Sequence, residues 1–220
     1  MLWLEPGRGS YRLGEAIKVG IFANGFEDLP WEGERAFRIW AVNPSGVPRE
    51  LTVVPGGGEE CSAVWFLPGE MGVYTVAAAI TGEVSFSART YFPVEKERRV
   101  PLSQVGQELV IAPVWHEGSY LNWPVCLEVR FAGKPLPGAA VTVFPDLWRG
   151  ERLYKKADED GRLVFDGRNW CYWQKGSEKK DGMVFFPWGI NWLMLVDHTA
   201  PGGQRHVAAC TFCPEQVSCC

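Results

Sequence analysis

The sequence predicts an all-β chain of two tandem immunoglobulin-like (prealbumin-like) antiparallel β-sandwich domains. Three observations carry this. Short runs of alternating apolar and polar residues recur along the chain, and no stretch sustains the 3.6-residue period of an amphipathic helix. Turn residues punctuate the runs: 25 Gly and 16 Pro among 220 residues suit frequent turns rather than helices. About seven runs fall in each half, the strand density of an immunoglobulin-like sandwich.

The first domain spans residues 1–95. Leu2 to Leu4 starts a strand, and Pro6 to Ser10 turns the chain. Glu15 to Ala23 alternates, with Ile17, Val19 and Ile21 on one face. Gly25 to Gly33 forms a loop, and Phe37 to Val42 a strand with Phe37, Ile39 and Ala41 on one side. Asn43-Pro44-Ser45-Gly46 is a turn, Leu51 to Val54 a strand, Gly56-Gly57-Gly58 its end, and Ser62 to Phe66 the next strand. Gly72-Val73-Tyr74-Thr75-Val76 has the G-x-Y-x-V pattern that opens a late strand of an immunoglobulin-like sandwich. The runs Val73 to Ile80 and Val84 to Phe92 pair across Thr81-Gly82-Glu83.

A charged break, Glu95-Lys96-Glu97-Arg98-Arg99, opens a solvated linker at 96–103. The second domain spans 104–213. Gln107 to Pro113 is a strand. Val125 to Phe131 is a half-buried strand, with Val125, Leu127, Val129 and Phe131 facing inward and Cys126, Glu128 and Arg130 outward. The turn Gly133 to Gly138 launches Ala139 to Phe144, and a polar connection follows. The turn Asp158-Glu159-Asp160-Gly161 gives a hairpin signal before the strand Arg162 to Phe165, because Gly accepts positive φ without steric cost. Asn169 to Trp173 is short and aromatic. Trp192 to Val196 is continuously apolar, the mark of a strand buried on both faces. His198 to Gln204 is the hairpin loop that leads to the strand Arg205 to Phe212, and 214–220 is a cysteine-containing tail.

Hydrophobic residues make up 46% of the chain, enough for a real core. The net charge is −4 with dispersed basic residues, which gives no nucleic-acid footprint. No apolar run approaches the roughly 18 residues of a membrane span. Met1-Leu2-Trp3-Leu4-Glu5-Pro6 enters folded-looking sequence without a signal peptide, which suits a cytoplasmic chain or the mature part of an exported one. No G-x-S-x-G, H-E-x-x-H or phosphate-loop motif is present, so no enzymatic activity is expected.

The candidate donors are three histidines, His116, His198 and His206, and seven cysteines. His198 and His206 flank one hairpin, and His116 follows a strand of the same domain. They form either a metal-binding cluster, since neutral imidazole suits nickel and similar metals, or three ordinary strand-end side chains. Cys210-x-x-Cys213 with Cys219 and Cys220 admits a zinc site, one or two disulfides, or a tail of adventitious cysteines. Asp158-x-Asp160-Gly161 lacks the later Glu of a calcium loop and is a turn. Trp170, Tyr172, Trp173, Trp188 and Trp192 are either core and interface aromatics or a sugar-binding platform.

A set of pieces in order resembles a known family. These are Trp3-Leu4-Glu5-Pro6, Gly106-Gln107-Glu108-Leu109-Val110-Ile111-Ala112-Pro113, Gly133-Lys134-Pro135-Leu136-Pro137-Gly138-Ala139, Asp158-Glu159-Asp160-Gly161-Arg162, Gly189-Ile190-Asn191-Trp192 leading to His198, and the strand ending Thr211-Phe212. The chain is similar here to NikM-like periplasmic components of nickel and cobalt ABC uptake systems. The resemblance implies an extracytoplasmic, non-enzymatic accessory protein that binds Ni²⁺ or Co²⁺ and meets the membrane components of a metal ABC transporter. Its metal ligands would be drawn from His116, His198, His206, Cys210 and Cys213, with Zn²⁺ at the cysteine tail as the alternative. That family usually carries a His just before the opening Trp, where this chain has only Met1 and Leu2. The alternative function is a structural or protein-recognition module of tandem immunoglobulin-like domains, or a carbohydrate-binding module.

Overall fold

The computed structural model describes residues 1–8, 10–23, 37–55, 62–95, 105–114, 125–144, 152–165 and 192–212, and the fold below is that of these residues. The first half contributes β1 (Leu2–Pro6), β2 (Ile17–Ala23), β3 (Phe37–Val42), β4 (Pro48–Glu50), β5 (Val53–Pro55), β6 (Ser62–Phe66), β7 (Gly72–Ile80) and β8 (Val84–Val94). The second contributes β9 (Leu109–Pro113), β10 (Val125–Phe131), β11 (Lys134–Pro135), β12 (Ala140–Phe144), β13 (Leu153–Lys156), β14 (Arg162–Phe165), β15 (Trp192–Thr199) and β16 (Arg205–Phe212). The chain is all-β with immunoglobulin-like sandwich sheets, the class read from its alternation and turns.

Three sheets make the two sandwiches. An eight-stranded sheet runs in the order β13-β12-β15-β16-β8-β7-β3-β4. A four-stranded sheet, β1-β2-β6-β5, covers one of its faces, and a sheet of β9, β10, β11 and β14 covers the other. Alternate side chains of a strand leave by opposite faces. Tyr74, Val76 and Ala78 of β7 and Ala88 and Phe92 of β8 therefore enter the first core, against Leu4, Ile17, Ile21 and Val64. Val73 and Tyr91 enter the second core, with Leu127, Val129, Leu163, Met194 and Cys210.

Strands β8 and β16 join the two sandwiches. They pair in parallel over eight residues, from Arg205↔Val84 to Phe212↔Tyr91, the one parallel pair of named strands among the described residues. Both of their faces are covered at the centre: Ala209 faces the first core and Ala208 and Cys210 the second. The sandwiches thus share a sheet.

The G-x-Y-x-V run does what its pattern predicts. The hydroxyl of Tyr74 accepts hydrogen bonds from the amides of Gly69 and Glu70, each 3.1 Å away, and pins the corner that leads into β7. The pairing across Thr81-Gly82-Glu83 is also present, as β7 against β8.

Four local expectations change. The turn at Asp158 forms, with Asp158 Oδ1 accepting from the amides of Asp160 (2.9 Å) and Arg162 (2.7 Å). It does not join paired strands, however. Strand β13, read as a polar connection, pairs with β12 in the large sheet, whereas β14 pairs with β10 in the small one. The turn therefore crosses between layers. Residues 198 and 199 belong to β15 rather than to the following loop, because pairing with β16 continues to Thr199↔Arg205. Strand β10 is buried on both faces at Cys126 and Glu128, not half-buried. Strand β4 falls between the Asn43–Gly46 turn and the strand expected from Leu51, where the sequence marks no element, and it pairs with β3.

Candidate functional site: a cleft at the seam of the sandwiches

Where the two sandwiches meet, a strap from Val105 to Glu108 crosses the large sheet before β9 begins. Val105 packs against Trp40, Ala77 and Ala79. Gly106 has φ +61°, and a Cβ there would lie 2.7 Å from Cη2 of Trp40, so only glycine lets the strap lie this close. Gln107 fixes the next residue. Its amide nitrogen donates to the carbonyls of Ala78 (2.7 Å) and Ala88 (3.1 Å), and its oxygen accepts from Arg89. Ser87 Oγ donates to the Leu109 carbonyl at 2.8 Å, tying β8 to the start of β9.

The strap, the β7–β8 turn and the β15–β16 hairpin enclose a cleft of about 250 Å³. Leu109 gives it an apolar wall and Ser85, Ser87, Glu108, Gln204 and His206 give it polar ones, while Ile80 and Phe86, which border it, turn their side chains into the first core. Gln204 Nε2 donates to the Gly82 carbonyl and to Ser85 Oγ, each at 3.1 Å, and so closes one side. Glu108 stands at the mouth with its side chain 67% exposed, and its carboxylate is 3.5 Å from Nε2 of the buried His206.

The structure brings two of the sequence candidates together. His198 and His206 are direct cross-strand partners on the same face of β15 and β16. Phe131, from the end of β10, packs on both rings, with centroids 4.7 Å from His198 and 5.0 Å from His206. Cys210 is separate. It lies four residues along β16 from His206, about 13 Å at the rise of a strand, and is fully buried in the second core. Burial pushes its thiol up to about 12, so it presents a neutral sulfur to its surroundings. Cys126 is buried as well, and burial raises its thiol too. His116 and Cys213 lie outside the described residues. Among the described residues, no group of three or more His, Cys, Asp or Glu side chains is placed to hold a metal ion.

Of the aromatic set, Trp192 is fully buried in the second core and presents no face to a ligand. The other four members lie outside the described residues. Sequence reasoning missed Glu108, Gln204 and Phe131. Glu108 is the second residue of a strand in the sequence, in a piece of the family resemblance that assigns it no role, and Gln204 ends a loop. Only the strand order shows that they share a cleft.

The chain matches no protein-family model and no curated protein. Among solved structures it is similar to a DUF4785 family protein from Legionella pneumophila, at 14% identity and a TM-score of 0.32, over 76% of this chain and 47% of that one. The chain thus spans about half the length of that protein. It is similar to a bacterial ice-binding adhesin at 10% identity and a TM-score of 0.28, over 98% of this chain and 63% of that one. It is also similar to the D0-D1 domain of intimin, at 12% identity and a TM-score of 0.25, over 95% and 96% of the two chains. Scores this low carry no function across, and the fold stands on the chain's own sheets. Among the described residues no helix is long and apolar enough to cross a membrane.

Proposed function

We propose that this chain is a non-enzymatic, extracytoplasmic recognition module of immunoglobulin-like sandwiches that holds its partner at the seam cleft. The observation behind this reading is the cleft itself. Its walls come from three segments distant in sequence, and the shared sheet holds those segments in one frame. A site on regular strands and short turns keeps its geometry when a partner arrives.

The reading is tested by placing a photo-crosslinking residue at Thr81, on the rim, and at Lys18, on the outer face of the β1-β2-β6-β5 sheet, in cells that make the protein. A crosslinked species from Thr81 and none from Lys18 is expected. Equal crosslinking at the two positions, or none at either, overturns the reading.

A second reading has one observation in its favour. His198 and His206 face the same side, and Glu108 approaches His206 from the strap. In this reading the histidine pair would supply two ligands for Ni²⁺ or Co²⁺ on its way to the membrane components of an ABC transporter. Isothermal titration of metal-free protein with Ni²⁺, Co²⁺ and Zn²⁺ decides it. Stoichiometric binding that is lost in a His198→Ala/His206→Ala variant supports a metal site there. Binding that survives in the variant, or no binding at all, excludes one.

A further inference from the structure

We infer that the open edge of β13 takes up an extended, acidic segment of a partner protein, which adds to the eight-stranded sheet as a further strand. This surface lies beyond the seam cleft and does not depend on it.

A strand at the end of a sheet offers unpaired amides and carbonyls to any extended chain, and folded proteins blunt such edges. Here the described edges are blunted one by one. Strand β4 carries Pro48, which has no amide to offer, and β5 ends in Pro55. Strand β1 ends in Pro6, and its Leu4 carbonyl accepts from Thr211 Oγ1. On β9 the carbonyls of Leu109 and Ile111 accept from Ser87 Oγ at 2.8 Å and Tyr91 Oη at 3.2 Å, and Pro113 lacks an amide. Strand β11 is only Lys134 and Pro135. On β14 the amide and carbonyl of Arg162 are both taken by Asp158, and the Val164 carbonyl accepts from Lys155 Nζ.

Strand β13 is the exception. The Ala157 amide donates to the Ala139 carbonyl at 2.9 Å, which sets the phase of its ladder with β12. Lys155 and Leu153 therefore turn their backbone groups to β12, and Tyr154 and Lys156 turn theirs to the open side. Among the described residues neither the amide nor the carbonyl of Tyr154 or Lys156 has a partner. Both residues are exposed, Tyr154 to 77%. No proline interrupts β13. Lys155 does not shield the edge, because its side chain leaves by the face of Val141 and caps β14.

Charge selects the occupant. The chain carries −4 overall, yet the run from Arg152 to Lys156 holds Arg152, Lys155 and Lys156 and no carboxylate. A second copy would bring this basic run against itself, whereas an acidic strand meets it in favourable cross-strand pairs. Residues of an added strand opposite Tyr154 and Lys156 lie two apart on one face. A β-branched side chain suits the Tyr154 ring and a carboxylate suits Lys156. A second carboxylate meets Arg152, whose guanidinium is held 5.4 Å over the Phe144 ring on that same face.

The test is a titration of the isotope-labelled full chain with the acetylated, amidated peptide Thr-Glu-Thr-Val-Thr-Glu-Thr, followed by amide chemical shifts and hydrogen exchange. One control peptide has Lys in place of both Glu, and another is N-methylated at its Val and both Glu. Saturable shifts centred on Tyr154 and Lys156, with slowed exchange of those two amides, are expected with the acidic peptide and with neither control. Tyr154→Pro removes an amide that β12 does not use, so the ladder is kept and binding should be lost. Lys156→Glu keeps every backbone group and should weaken binding of the acidic peptide about fivefold, one cross-strand pair turned from attraction to repulsion. Equal binding of the N-methylated peptide, binding unchanged in either variant, or no saturable shift would each overturn the inference. A dimer in sedimentation that Tyr154→Pro dissociates would also overturn it, by giving the edge to a second copy.

Discussion

Gly106 shows how one residue positions the cleft. Its φ of +61° and the Trp40 ring 2.7 Å from an added Cβ act in the same direction. Trp40 is 7% exposed and lies under the Arg38 guanidinium at 5.0 Å, so the ring has little room to yield. Gly106→Ala should cost about 2–4 kcal/mol, from left-handed backbone strain plus overpacking; a denaturant midpoint within error of the parent would contradict this. Cys210 and Tyr91 supply a second residue-level prediction. Burial pushes both groups up to about 12. In the folded chain each keeps a proton that the unfolded chain releases at lower pH. Their contribution to stability is full below the ordinary thiol value of 9.0 and is lost as pH climbs toward about 12. Melting temperature should fall over that window, and less steeply in Cys210→Ala; an unchanged slope in the variant would remove Cys210 as a source. Peptide mapping after alkylation at neutral pH should likewise find Cys126 and Cys210 unmodified in folded protein and modified in denaturant.

At the level of elements, β7, β8 and β16 form the protected centre. Strand β7 is buried from Gly72 to Ile80 and β8 from Ser87 to Val94. Hydrogen exchange should be slowest at Val73–Ile80, Ser87–Tyr91 and Ala208–Thr211, and slowest in β16 only if β8 covers its edge. Fast exchange in β16 beside slow exchange in β8 would argue against their pairing. Individual strands were legible in the sequence where alternation is clean: β3, β6, β10, β14 and β16 have the bounds that periodicity suggests. Partners were not legible. Nothing in Leu153-Tyr154-Lys155-Lys156 alternates in polarity enough to mark a strand, yet pairing with β12 orders its backbone. The Asp158 turn carried a sound local signal, but a turn fixes the direction of the chain, not the sheet it enters. The histidine pair was half visible. A hairpin between His198 and His206 could be read from the sequence, while the register that sets them face to face, and Phe131 and Glu108 beside them, depends on contacts between sheets.

The molecule as a whole is defined by one sheet that serves two cores. Residues of β16 divide between them, Ala209 to one side and Cys210 to the other, so loss of either core exposes a face of the same strand. Calorimetry should therefore show a single cooperative transition, with equal calorimetric and van't Hoff enthalpies. Two resolved transitions would mean that the sandwiches melt independently.

The parallel union of β8 with β16 also sets an order of events during synthesis. Thr211 reaches the carbonyls of Leu4 and, 122 residues away in sequence, Arg89. A nascent chain that has completed β8 has no strand for that edge until the whole second half has left the ribosome. During that interval a long apolar strand presents unpaired amides and carbonyls, the template on which foreign strands add. Closing so distant a contact is slow. Yield should therefore respond to how well that edge is shielded in the newborn chain.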